Sequence, residues 1–134
     1  MKNAPKNLEF MFGDEFFLEK KNDEVFIKKF TRSRNAQSKT DSENKEDTVK
    51  ISEKDFIEIW KMISKIDFKK YVNHGKLRFA YPTDLIISTK LTLKIDDKVV
   101  VDWFREGFLD DSLRKPLDGV NNLIRKKFDE KKGL

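Results

Sequence analysis

The sequence predicts an α+β fold: an antiparallel sheet of about five strands, made of two hairpins, with two amphipathic helices packed on one face, in the order β-β-β-α-β-β-α. Three observations lead there. Residues 85–95 alternate, with Leu85, Ile87, Thr89, Leu91, Leu93 and Ile95 on one side, the period of a strand with one buried face. Phe56, Ile59, Trp60, Ile63 and Ile66 instead recur at helical spacing, one stripe of an amphipathic helix. The length of 134 residues, with 37% hydrophobic side chains, suits one cored domain better than two. Twelve Phe and two Trp supply large side chains for that core despite 40% charged residues.

Residues 1–7 are polar and are expected to fray. Strands are expected over 8–12, 15–20 and 24–30, with Lys21, Asn22 and Asp23 as a turn, because Asn and Asp tolerate positive φ. Phe16 and Phe17 are adjacent, as are Phe26 and Ile27, so this hairpin carries apolar side chains on both faces. Residues 31–48 contain no large apolar residue and read as a polar, flexible loop or a lengthened hairpin connection. A short strand is expected over 48–51. Ser52 and Asp55 then have the spacing of a capping box, with Asp standing in for Glu. The helix that follows places Lys54, Glu58, Lys61 and Lys65 away from its apolar stripe.

Residues 67–83 are less regular. His74-Gly75 suggests a turn, and 77–81 a short strand stopped by Pro82. The long strand 85–95 pairs with 99–104, and its register follows from the apolar pattern, because a one-residue slip turns every side chain over. A two-residue turn at Asp96-Asp97 would set Leu91 opposite Asp102 and Trp103 opposite Lys90. A three-residue loop through Lys98 instead pairs Ile95 with Val99, Leu93 with Val101 and Leu91 with Trp103, so the longer loop is expected. After Gly107 and an acidic turn at Asp110 and Asp111, Pro116 is expected to open the last helix at its first position. Leu117, Val120, Ile124 and Phe128 form its stripe, and Gly119 weakens its first turn. Lys126, Lys127, Lys131 and Lys132 sit where cations favour a helix C-terminus, and Gly133 ends it.

Several chemistries find no support. The chain has no Cys and one imidazole, His74, which removes thiol catalysis and paired-His metal sites. Its five glycines form no phosphate-cradling loop, and neither Asp pair begins a calcium loop. Among 24 acids no motif singles out a catalytic pair. A non-enzyme without cofactor or metal is therefore the expectation. No apolar run approaches the roughly 20 residues of a membrane span. The N-terminus lacks a signal peptide's apolar region and cleavage site, so a cytoplasmic location is expected, although a chain with its leader removed would read the same way.

The formal charge is +5, and it is unevenly placed. Residues 61–79 set Lys61, Lys65, Lys69, Lys70, Lys76 and Arg78 against Asp67 alone. The stretch 84–111 is acidic, and 112–134 is basic again through Arg125, Lys126, Lys127 and their neighbours. These two basic stretches are the candidate nucleic-acid contacts. Against that reading stand 23 Lys but only six Arg, since Arg is the residue that grips phosphates and bases with two parallel bonds. The alternating basic and aromatic residues of 76–81 also lack the glycines of an RNA-binding strand.

The least expected feature is an aromatic cluster of Phe10, Phe12, Phe16, Phe17, Phe26 and Phe30 in a hairpin of which helices can cover one face. The first expectation is accordingly a small non-catalytic interaction domain, of adaptor, inhibitor or immunity kind, meeting a protein partner or a second copy through that hairpin. Nucleic-acid binding through the basic stretches is the alternative. A small hydrophobic ligand held between sheet and helices is the third reading.

Overall fold

A computed structural model describes residues 4–32, 44–72, 79–80, 88–106 and 108–133. Among the described residues eight strands and three helices follow one another: β1 (Asn7–Phe12), β2 (Phe16–Lys21), β3 (Glu24–Arg32), β4 (Asn44–Ile51), α1 (Glu53–Ser64), α2 (Lys69–Val72), β5 (Phe79–Ala80), β6 (Ser88–Ile95), β7 (Lys98–Glu106), β8 (Phe108–Leu109) and α3 (Asp111–Lys132). Six of the strands form one antiparallel sheet in the order β4-β3-β2-β1-β6-β7, and β5 pairs with β8 alone. The expected α+β architecture is present, with one strand more before the first helix.

The core face of the sheet follows from its register. Val101, Leu93, Phe10, Leu18, Ile27 and Val49 are successive cross-strand partners from β7 to β4, and all are buried. A second row runs Ile95, Leu8, Lys20, Val25 and Ile51. Buried Lys20 fits there because its aliphatic stem packs in the row while its ammonium donates to the Pro5 carbonyl (2.8 Å) and lies 5.3 Å from the Phe56 ring centre. That bond anchors the chain's start. Pro5 is buried and Asn7 already belongs to β1, so residues 4–7 of the stretch expected to fray pack against the fold, and residues 1–3 lie outside the described residues.

The polar stretch 31–48 is also more ordered at its ends than its composition suggested. Its residues 44–48 are strand, paired with 28–32. Alternation of exposed polar residues on an edge strand needs no apolar side chain once the backbone ladder is made, which is why composition concealed it. The connection 33–43, the His74-Gly75 turn, most of the expected 77–81 strand and residues 85–87 lie outside the described residues.

Both long hairpins turn on two residues. Asn22 (φ 55°) and Asp96 (φ 51°) take the left-handed conformation that tight hairpin loops demand. At Asp96-Asp97 this corrects the expected three-residue loop: Ile95 faces Lys98, and Lys94 faces Val99. The residue that the sequence reading put into the loop is instead a β-bulge at Val100, after which Leu93 meets Val101 and Leu91 meets Trp103 as the apolar pattern required. The short loop matches the twist of the strands, and the bulge restores the register. Val99 is thereby turned outward, 59% exposed, while Val100 packs against the core.

All three helices lie on this one face. In α1 the Ser52 hydroxyl accepts the Asp55 N–H (3.1 Å), as a cap should, and Phe56, Ile59, Trp60 and Ile63 are buried. α3 packs beside it, burying Leu117, Val120, Ile124 and Phe128. Contacts between residues 55 and 127 at one end and 62 and 119 at the other make the pair antiparallel. α3 begins earlier than expected. The Asp110 carbonyl accepts the N–H groups of Leu113 and Arg114, so the first turn forms ahead of Pro116, which lies inside the helix. Asp110 and Asp111 are thus its acidic start rather than a separate turn, a placement that suits the helix dipole. Gly133 (φ 73°) closes it as a left-handed C-terminal residue. Between the sheet and the α3 N-terminus, Trp103 donates from Nε1 to the Tyr71 carbonyl (2.8 Å), and the Tyr71 hydroxyl donates to the Leu113 carbonyl (2.6 Å).

Gly119 faces the Met62 methyl, which would stand 3.2 Å from an added Cβ. The end of a Met side chain moves readily. Gly119→Ala should therefore keep the helix-propensity gain and raise stability by about 0.5–1 kcal/mol in urea unfolding. A loss of stability would show that Met62 is wedged in place.

Candidate functional site

Among the described residues the helices cover one side of the sheet, and its register divides the aromatic cluster. Phe10, Phe12 and Phe16 face the helices and are buried. Phe16 meets Phe128 edge to face at 5.8 Å, with Arg125 and Lys29 over the rings. These three are core, and no partner can reach them. Phe17, Phe26 and Phe30 point the other way and are half-buried. They surround Lys28, which is the cross-strand partner of Phe17 and holds its ammonium 6.0 Å from that ring. Further along the same face Met11 pairs with Thr92, and Thr92 with Asp102, whose carboxylate accepts the threonine hydroxyl (3.1 Å). Phe104 follows one step on, opposite Lys90 and 67% exposed. A discontinuous apolar band therefore marks the outer face, with Phe17, Phe26 and Phe30 on β2 and β3, Phe104 on β7, and buried Met11 with the polar Thr92 and Lys90 between them. Phe104 and Met11 were not singled out in the sequence, although the alternation of β7 around Trp103 places Phe104 outward.

Around that band, charged residues form loose exposed pairs such as Lys94–Glu9 (3.8 Å), Lys28–Glu46 (3.9 Å) and Lys50–Glu24 (3.7 Å). Exposed pairs at such distances contribute little to stability and leave the face soluble.

Among the described residues the basic candidates fall into two groups, one on α1 and α2 and one on α3. Lys61 and Lys65 lie exposed along α1 and its end, and Lys69 and Lys70 are exposed in α2. Lys76 and Arg78 lie outside the described residues. Of the α3 candidates only Lys126 is an exposed cation without an ion pair among the described residues, because Arg125 bonds Glu15 (2.8 Å). Lys127, read in the sequence as a cation near the helix C-terminus and a candidate nucleic-acid contact, is buried between the helices, with Nζ at 2.7 Å from Glu58 and 3.1 Å from Asp55. Its position follows from helical spacing: 127 falls on the stripe of 117, 120, 124 and 128. The Glu58 hydrogen bond raises the Lys127 pKa above its ordinary value, against the opposing effect of burial and with further help from Asp55. Burial disfavours ionised Asp55, but hydrogen bonds from Lys127 and Ser52 outweigh it and lower the Asp55 pKa. The two basic stretches consequently sit toward opposite ends of α1, about 10–15 Å apart along its axis.

A cleft of about 1090 Å³ opens where the end of α1, the α1–α2 connection, the segment Ala4–Lys6 and the β6–β7 hairpin converge. Its walls are mostly apolar, and the bulged Val100 is part of them. Among the described residues no group of three or more His, Cys, Asp or Glu is placed to hold a metal ion, and no helix is long and apolar enough to cross a membrane. A scan against protein-family models and searches of curated proteins and of solved structures find no match to this chain.

Proposed function

We propose that this chain is a non-catalytic interaction domain that meets a second copy or another protein through the outer face of its sheet. The observation that carries this reading is the half-buried group of Phe17, Phe26 and Phe30 on the face opposite the helices, with Phe104 standing 67% exposed two strands beyond Met11 on the same face. Apolar patches on a sheet face gain by excluding water against a partner. The charged rim around the band supplies solubility when the face is free.

Phe17→Asp combined with Phe104→Asp tests it. Both residues lie outside the helix-facing core, so the far-UV circular dichroism of the double variant should match that of the parent chain. Sedimentation velocity over a concentration series, and capture of partners by the immobilised chain, should show association in the parent and none in the variant. Global unfolding of the variant would place these residues in the core. Undiminished association would remove the outer face from consideration. Salt dependence separates the nucleic-acid alternative: binding through Lys61, Lys65, Lys69 and Lys70 must weaken steeply as salt rises, because counterions are released, whereas apolar contact is nearly insensitive to it.

A further inference from the structure

The cleft at the end of α1 is a second surface, independent of the outer sheet face and opposite to it. Its floor joins two layers of the fold. Trp60, Ile63 and Phe68 come from the helical side, and Leu93, Ile95 and Val100 from the β6–β7 hairpin. At its margin Val72 is an apolar side chain that stays 50% exposed. A volume of about 1090 Å³ matches the upper range, about 300–1000 Å³, of sites that enclose drug-sized organic ligands. A water cluster or a simple inorganic anion would leave most of this apolar lining unmatched.

The charges at the rim are of two kinds. Asp67 and Asp96 are both already engaged by the backbone: Asp67 Oδ1 accepts the Lys69 N–H (3.2 Å), and Asp96 Oδ1 accepts the Asn7 N–H (3.1 Å). Lys6, Lys65 and Lys69 also line the cleft, all three are exposed, and among the described residues none of their ammonium groups has an ion-pair or hydrogen-bond partner. The rim thus sets three unpaired cations against two carboxylates, a net positive charge beside an apolar floor. The chemistry complementary to that arrangement is a single aliphatic chain ending in one anionic group.

We infer that this cleft binds a long-chain carboxylate of the fatty-acid kind, its chain laid over Trp60 and against Ile66, Val72, Ile95 and Val100 and its head beside the lysines Lys6, Lys65 and Lys69. The β-bulge has a use under this assignment. It turns Val100 into the wall of the cleft, a re-aiming that bulges commonly perform beside binding sites.

Titration of the full chain with dodecanoate, below its micellar concentration, tests the assignment by calorimetry and tryptophan fluorescence. Dodecanol and dodecyltrimethylammonium serve as the neutral and cationic counterparts. Dodecanoate should bind saturably at one site and more tightly than either counterpart. Trp60→Phe should abolish the fluorescence response while the heat persists. Reversal of the rim by Lys6→Glu, Lys65→Glu and Lys69→Glu together should weaken dodecanoate about tenfold and leave dodecanol unchanged, since each exposed charge pair supplies a modest increment. These three positions are exposed, so the variant should fold. Phe17→Asp should leave the titration unaltered, which keeps this result separate from that of the outer face. Absence of saturable dodecanoate binding, equal affinity for all three amphiphiles, or an unweakened rim variant would each overturn the assignment. So would a dimer that Val72→Asp dissociates, because the cleft would then hold a second copy of the chain.

Discussion

Phe10→Ala should lower the free energy of unfolding by about 3–5 kcal/mol, the usual consequence of emptying a buried phenylalanine site. Phe10 has no exposed surface and sits at the centre of the core row, with Leu18 on one side and Leu93 on the other. Both neighbours belong to hydrogen-bonded strands, and β1 is interior to the sheet, so little backbone adjustment can close the cavity. Domains of this size commonly have about 5–15 kcal/mol in hand, and the variant should accordingly be near the edge of folding at ambient temperature. Urea unfolding gives the measurement: the midpoint should fall with the slope preserved, as expected of lost stability without a change in the surface exposed. A cost under about 1 kcal/mol would contradict the six-residue row on which the sheet's core face is built. Phe10 and Phe17 differ by seven positions in the chain and by a face in the sheet, so the comparison of Phe10→Ala with Phe17→Asp tests the partition of the aromatic cluster directly.

That partition was half legible in the sequence. Adjacent pairs such as Phe16-Phe17 and Phe26-Ile27 announce that both faces of the hairpin are apolar, because neighbours in a strand point oppositely. Which member faces the helices depends on the register of β1 against β6, a pairing between residues 79 to 87 positions apart that no local pattern encodes. α1 was legible down to its Ser52 cap, since capping and periodicity are both local. The Asp96-Asp97 turn was misread for a definite reason: the apolar pattern fixes Leu93 opposite Val101 but is silent on whether the odd residue lies in the loop or in a bulge. Pro116 misled because proline favours a helix's first turn without being confined to it. The cleft could not be read at all. Its walls come from the first few residues, the middle of the chain and the β6–β7 hairpin, each unremarkable alone.

Lys127 was read as a candidate nucleic-acid contact, and its place between the helices leads to the second large effect. Lys127→Met should preserve much of the packing of the side-chain stem and remove the ammonium that joins α3 to Asp55 and Glu58 of α1. Deleting one partner of a buried pair costs more than deleting an exposed one, but Asp55 and Glu58 retain 22% and 47% side-chain exposure and can turn to water. About 2 kcal/mol at neutral pH is therefore expected, between the buried and exposed limits. The pH dependence distinguishes this ionic loss from a packing defect. Asp55 is more acidic in the folded chain than its ordinary 3.8, so its contribution is complete above that value and is lost as pH falls through the lower folded one. Lys127 holds its proton more tightly than its ordinary 10.5, so its contribution is complete below 10.5 and is lost as pH rises through the higher folded value. Burial likewise raises Tyr71 above 10.0, which adds to the alkaline loss in parent and variant alike. The stability difference between parent and Lys127→Met should consequently stay level across the neutral range and shrink toward both extremes. A difference that persists unchanged in strong acid and strong base would mean that Lys127 acts through its methylenes, and that helix pairing in this fold owes nothing to the charge buried within it.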